Sequence, residues 1–282
     1  MSLPFIDAAE VARRCTPLQA VDALEAALLS GFDPEAAPAR TFVPAGAGEL
    51  LVMPAVVGEH IAVKLLTLGG DPRVQGVCVV FDALTLAPSA LIDGIALTNL
   101  RTSAVSALAV RHLAPAAAKR LLVFGRGPQA HAHVEAIRAV RPIDHVDLVG
   151  REHPADIDEL VAWADVICCA TTAAQPLFNG TLAAEHATVV AIGSHDPARR
   201  ETDDALAARA GIVVVESRAS ALREGGDVLA AIGSGALTAG DLVTLADLVA
   251  GRAAPDPDAP RLFKSTGMAW EDAVVAGRVV AG

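Results

Sequence analysis

The chain has 282 residues, a formal net charge of −11, 53% hydrophobic residues and no Tyr. That length accommodates two domains and a large core, which the scarcity of aromatics leaves to Ala, Val and Leu. The acidic balance, with scattered Lys and Arg, excludes a nucleic-acid surface built from clustered basic residues, and no apolar run stands out as long enough to span a membrane.

Four cysteines, Cys15, Cys78, Cys168 and Cys169, show no C-x-x-C or His/Cys metal spacing. They read as small buried thiols in a reducing compartment, with no metal. Met1-Ser-Leu-Pro lacks the basic and apolar regions of a signal peptide, so the expected location is cytoplasmic.

Thr16-Pro17 opens a predicted amphipathic helix, as an N-cap with Pro in the first turn, that ends near Gly31. Short apolar runs at 40–44, 49–53, 60–67, 76–81 and 88–93, separated by turn residues, predict a mixed or antiparallel sheet. Thr98 is expected to open an Ala-rich helix over roughly Arg101–His112, with Pro115 beyond it. From Arg120 the texture changes. Strand 121–125, helix 128–140, strand 145–149, helix 155–163 and strands 165–170, 188–192 and 211–215 predict a doubly wound α/β sheet. Helical segments then end near Gly251. The Pro- and Asp-rich stretch 253–260 reads as a loop returning the chain to the first domain, where a helix over 269–280 closes it. The expected division is residues 1–116 with 262–282, and residues 117–261.

Leu121-Leu-Val-Phe runs into Gly125-Arg126-Gly127-Pro128-Gln129-Ala130, a G-x-G-x-x-A at a strand-to-helix turn. Gly125 suits the tight turn, Gly127 lets backbone approach a phosphate, and Ala130 lets the helix pack on its strand. The helix N-terminus would face the pyrophosphate. Alone, the motif fits a nicotinamide or a flavin dinucleotide, or a ligand-free glycine turn.

Three blocks in order resemble the ornithine cyclodeaminase/μ-crystallin family. They are Gly76–Asp82 through Ala90–Gly94 to Leu97-Thr-Asn-Leu-Arg-Thr-Ser-Ala104, the dinucleotide turn, and Phe263-Lys-Ser-Thr-Gly-Met-Ala-Trp-Glu-Asp272. The resemblance covers nearly the whole chain. It implies a Rossmann NAD(P)-binding domain and a discontinuous α+β sheet domain for substrate binding and homodimerisation. It also implies a cleft where the nicotinamide meets a small amino or imino acid. Family members include ketimine and pyrroline-2-carboxylate reductases and an alanine dehydrogenase branch.

Hydride exchange at Cα needs cations for the substrate carboxylate and a proton carrier near nitrogen. Lys64 in Ala-Val-Lys-Leu-Leu and Arg101 in Asn-Leu-Arg-Thr-Ser stand alone in apolar settings, which is locally unfavourable unless they snorkel to solvent. By resemblance, Arg40 and Arg101 bind the carboxylate and Lys64 is catalytic. A nearby Arg is expected to depress the Lys64 pKa. The resemblance also places Met53 and Gly267 near the nicotinamide. Ser265 or Thr266 could bond its carboxamide, and Thr171 and Thr172 either touch the ribose or cap their loop.

Cofactor choice turns on the end of strand 145–149. Arg151 stands where NADP-using relatives place theirs and Gly150 where NAD-using relatives carry Asp, favouring NADP(H), with NAD(H) possible. Glu152 is the counter-argument. Two departures from the family follow. The segment between Arg151 and Trp163 is short by a helix and a strand. His195 stands where cyclodeaminases carry Asp, with Asp196 one residue late. His195 is either an acid/base group or a loop histidine. These features favour an NAD(P)H-dependent reductase or dehydrogenase over ornithine cyclisation with bound NAD, and over an NADPH-binding protein without turnover.

Overall fold

The computed structural model describes residues 3–151 and 156–282. Met1, Ser2, Glu152 and the expected start of the helix at 155 lie outside the described residues. The chain forms two compact units, Met1–Val105 with Met268–Gly282, and Ser106–Gly267.

The first unit contains β1 (Phe5–Ile6), α1 (Ala8–Arg14), α2 (Pro17–Leu29), β2 (Thr41–Ala45), β3 (Gly48–Val57), β4 (His60–Leu68), β5 (Val74–Phe81) and β6 (Pro88–Asp93). α3 (Gly94–Leu113) begins in it, and α10 (Ala269–Ala281) completes it. The Thr16 hydroxyl accepts from Gln19 N at 3.3 Å, while the Gln19 side chain accepts from Thr16 N at 2.9 Å. This capping box fixes the start of α2. The sheet order is β1-β6-β5-β4-β3-β2, with β1 parallel to β6 and the other pairs antiparallel. Leu51, Met53, Ala55 and Val57 alternate into the buried face, the period of two that one covered sheet face imposes. α10 packs across β3, β4 and β5, and its Trp270 lies 5.6 Å from the Phe32 ring.

The sequence reading places the start of α3 at Thr98, but the helix begins at Gly94. Asp93 Oδ1 accepts from the backbone N–H of Ile95 and Ala96, both at 2.9 Å, and so caps the first turn. The Thr98 hydroxyl instead donates back to Gly94 O. Gly94 reads as a breaker in sequence, yet it is there because a Cβ would lie 2.7 Å from Gly76 O. β1 and α1 were not anticipated. Two residues are too few to show a period.

The second unit alternates β7 (Arg120–Phe124), α4 (Pro128–Val140), β8 (His145–Val149), α5 (Ile157–Trp163), β9 (Val166–Cys169), β10 (Thr188–Ala191), α6 (Asp204–Arg209), β11 (Ile212–Val215), α7 (Arg218–Glu224), α8 (Gly226–Ser234), β12 (Leu242–Thr244), α9 (Leu245–Val249) and β13 (Arg261–Lys264). The sheet is parallel throughout, in the order β12-β11-β13-β10-β9-β7-β8. Its apolar runs are buried on both faces, as a sheet covered by helices requires. The strand order reverses between β7 and β9, the switch point at which open α/β sheets bind ligands beyond their strands' C-terminal ends. β8 forms one edge of the sheet among the described residues, consistent with the short segment that follows it.

The stretch 253–260 leads into β13, between β10 and β11, and not directly back to the first unit. β13 escapes a pattern search because Arg261 and Lys264 flank only two apolar residues, and both cations are buried.

Candidate active site

In the first unit, register builds one row across the sheet. Met53 pairs with Lys64, Lys64 with Cys78 and Cys78 with Ile92. Paired residues share a face, so Lys64 points into the covered side and is 0% exposed. A buried ammonium needs a counter-charge. Asp272, in the first turn of α10, supplies it, with Lys64 Nζ 2.7 Å from Asp272 Oδ1. Arg101 Nε lies 3.1 Å from the same oxygen, and Arg101 Nη1 lies 2.7 Å from Glu271 Oε2. Two cations and two carboxylates thus meet in one buried cluster. The N-terminal end of α10 favours the two acids there.

Burial pushes the Lys64 pKa down to about 8; Arg101 pushes it the same way, while Asp272 opposes both. The expected direction is met, although burial outweighs the Arg. Cys78, opposite Lys64, is pushed up to about 12, chiefly by burial, and stays a thiol. Arg40 is half-buried just before β2. Thr41 pairs with Val52, so Arg40 is level with Met53 and two strand positions from Lys64. That separation, roughly 10 Å between backbones, is within an arginine's reach of the same row.

In the second unit, Gly125 turns the chain out of β7 with φ +124°, and a Cβ there would lie 2.6 Å from Ala170 O. Gly127 is the N-cap of α4 and makes no side-chain cap. A Cβ on Gly127 would meet nothing within 4 Å, so the backbone is approachable there. Pro128 follows at the first helical position, Gln129 is the second helical residue, and Ala130 is fully buried. This geometry fits a dinucleotide pyrophosphate, which takes its contacts from such a turn and helix start. Arg126 is exposed and lies across Gly150, its Cδ 3.2 Å from where a Gly150 Cβ would be. Arg151 is exposed beside it. Glu152 lies outside the described residues.

The loops leaving β9, β10 and β13 lie at the same C-terminal edge. Glu216, at the end of β11, accepts from Ser265 Oγ at 2.6 Å, Thr266 N at 2.9 Å and Gly267 N at 3.0 Å. The Ser265 proton is thereby committed, which leaves its oxygen the role of acceptor. The Thr171 hydroxyl donates to Glu201 at 2.7 Å and accepts from Ala173 N at 3.1 Å, so it caps its own loop. Thr172 O accepts from Arg199 Nη1 at 2.9 Å. His195 is exposed on the loop after β10, as is Asp196.

Sequence reasoning brought Lys64 and Arg101 together but missed the roles of Glu271, Asp272, Glu216 and Glu201. A signal was available. Glu216 ends a run of three valines, and Glu271-Asp272 opens a largely apolar helix whose one other charge is Arg278. Charges in such settings imply buried partners.

A family model described as "Ornithine cyclodeaminase/mu-crystallin family" matches residues 5–156 and 154–281. A Delta(1)-pyrroline-2-carboxylate reductase of Bacillus cereus is 31% identical over 299 residues, covering 94% of this chain and 92% of the relative. Ketimine reductase mu-crystallin of Rattus norvegicus is 32% identical over 266 residues, covering 85% and 82%. The structure of Thermococcus litoralis Delta(1)-pyrroline-2-carboxylate reductase, in complex with NADH and L-proline, superposes with a TM-score of 0.91 at 25% identity, covering 99% of this chain and 97% of that one.

Proposed function

Because the chain belongs to the ornithine cyclodeaminase/mu-crystallin family, we propose that it is an NAD(P)H-dependent imine reductase. Its substrate is a small 2-imino carboxylate of the pyrroline-2-carboxylate or ketimine type. The observation that carries this reading is the buried Lys64–Asp272–Arg101–Glu271 cluster, which joins a proton donor to a carboxylate-binding cation.

Arg40 and Arg101 hold the substrate carboxylate through charge-assisted bonds, on the order of 1.5–3 kcal/mol each. A guanidinium carries five N–H donors in a fixed fork, the geometry that suits Arg101 to a carboxylate. Lys64 sits at the imine nitrogen and delivers its proton there. One of its three N–H bonds stays on Asp272, which holds the ammonium in place. His195 is the second proton carrier, facing solvent. A reduced nicotinamide, when bound, supplies the hydride that Cα accepts, leaving an amine and the oxidised cofactor. Gly125, Arg126, Gly127, Pro128, Gln129 and Ala130 hold the pyrophosphate and adjoining ribose. Thr171 and Thr172 line the ribose, and Ser265 and Gly267 line the carboxamide.

Arg126 and Arg151 flank the end of β8, where the adenosine 2′ position of a Rossmann-bound dinucleotide lies. Their charge favours NADPH over NADH. Purified protein is expected to oxidise NADPH when given Δ1-pyrroline-2-carboxylate or Δ1-piperideine-2-carboxylate, and to bind NADPH more tightly than NADH by calorimetric titration. Tighter NADH binding would overturn the cofactor preference. Ammonia release from ornithine without net change in the nicotinamide would replace reduction by cyclodeamination, and cofactor binding with neither activity would leave a binding protein.

The protein assembles as a homodimer through the first unit's sheet. In support, Val43 and Val56 are 43% and 63% exposed on the outer face of β2 and β3, apolar side chains suited to a partner copy. Sedimentation equilibrium is expected to give twice the chain mass, and a monomer at micromolar concentration would rule the assembly out. Its four cysteines are free and buried, which fits a reducing, cytoplasmic setting. No described helix is long and apolar enough to cross a membrane.

A further inference from the structure

Three buried charges of the second unit take no part in the transfer just described: Glu201, Asp227 and Lys264. Each is bonded to backbone at the C-terminal edge of the sheet. Glu201 Oε1 accepts from Thr171 N at 2.8 Å and Glu201 Oε2 from Gly193 N at 2.7 Å, joining the loops after β9 and β10. Asp227 Oδ1 accepts from Glu201 N and Thr202 N, both at 2.8 Å. Lys264 Nζ donates to Ser194 O at 2.7 Å and pairs with Asp227 Oδ2 at 2.9 Å.

The same loop is closed by sterics. A Cβ on Gly193 would lie 1.8 Å from Thr171 O and 2.5 Å from Glu201 Oε1. A Cβ on Gly226, at the start of α8, would lie 1.9 Å from Arg199 O and 2.7 Å from Asp196 O. His195 is therefore displayed from a segment fixed on both sides of it, in chain order by Gly193-Ser194 and by Asp196 to Arg199.

We propose that Glu201 is a positioning residue: its ionised carboxylate holds the Thr171 and Gly193 loops at the dinucleotide edge of the sheet and fixes where His195 is presented. This rests on the reading that this edge binds the cofactor. The chemistry follows from the donor count. Three N–H or O–H groups converge on one carboxylate, which is acceptor-only when ionised. Protonation sets an O–H against one of those donors. The bracket therefore loosens when Glu201 takes up a proton.

Burial pushes the Glu201 pKa up to about 7, against the opposing pull of Lys264 and of the bonds from Thr171 and Gly193. Facing it are Lys264 from β13, Asp227 from α8, and Cys168 and Cys169 from β9. Burial holds both thiols neutral. The bracket is thus intact above about pH 7 and lost as the pH falls through it.

Calorimetric titration with NADH, which lacks a titrating 2′-phosphate, tests this. With the ionised form as the competent state, wild-type affinity is expected to weaken about tenfold between pH 8 and pH 6. Glu201→Gln is expected to bind at pH 8 at least as weakly as wild type does at pH 6, with a flat profile. Thr171→Val, a milder change, is expected to move the wild-type midpoint to higher pH, because it removes a bond that stabilises the charged form. Unchanged affinity and pH profile in both variants would overturn the proposal. Amide exchange without cofactor separates the two readings. Glu201→Gln is expected to lose protection at Gly193 and Thr171 at pH 8, and retained protection there would overturn the positioning role even if wild type bound no NADH.

Discussion

Lys64→Met is expected to reduce imine reduction by roughly 10²–10⁴-fold, the usual contribution of a positioned proton donor, while leaving NADPH affinity unchanged. Met matches the length of the lysine stem and fills the same buried row between Met53 and Cys78, so the cavity created is small. The cofactor residues proposed above all belong to the other unit. A donor must be protonated to act. Lys64 has its pKa pushed down to about 8, so the wild-type rate is expected to hold below that pH and fall as the pH rises through it. Single-turnover kinetics at several pH values measure this. Full activity in Lys64→Met, with the alkaline limb intact, would remove Lys64 from the mechanism.

Asp272→Asn is expected to produce the largest stability loss of any single polar change in the first unit. Asp272 Oδ1 faces both Lys64 and Arg101, and all three residues are buried. Breaking a buried pair by neutralising one member typically costs about 3–5 kcal/mol, because a charge remains without its partner. Lys64 offers a partial escape. Asp272 raises its proton affinity, so without that charge the Lys64 pKa falls further below 8. The destabilisation is therefore expected to be greater at pH 6, where Lys64 must carry its charge, than at pH 9, where it need not. The alkaline limb of activity is expected to move to lower pH for the same reason. Denaturant melts at the two pH values, with rate profiles, check both signs. Equal destabilisation at both would mean that Asp272 does not govern the protonation of Lys64.

Much of the fold was legible because its elements repeat a strong local signal. The Val- and Leu-rich runs of β7, β9, β10 and β11, the capped start of α2, and the alternation of β3 follow from burial and period alone. β13 was not legible, because its ends are cations whose burial depends on Lys264 meeting Asp227, far away in sequence. The start of α3 was hidden for a related reason. Asp93 caps a helix that opens on Gly94, whose close approach to Gly76 across the sheet is set by tertiary packing.

The site divided along the same line. The dinucleotide turn is local chemistry, in which six consecutive residues specify a φ, an uncapped helix start and a close contact. Lys64 and Arg101 were visible as cations out of place. Their meaning was not, since the carboxylates that stabilise them arrive from the far end of the chain. Thr171 and Ser265 were legible as hydroxyls on loops after strands, but their protons are committed to Glu201 and Glu216, which alters what each can offer a ligand.

By itself, the sequence determined the two-part α/β architecture, the dinucleotide turn and the identity of the isolated cations, because each is set by neighbours within a few residues. Only the tertiary structure decided how those cations are neutralised, which donors are already spent and which loops are fixed. Those are properties of buried charges, and a buried charge takes its energy from the partners that folding brings to it.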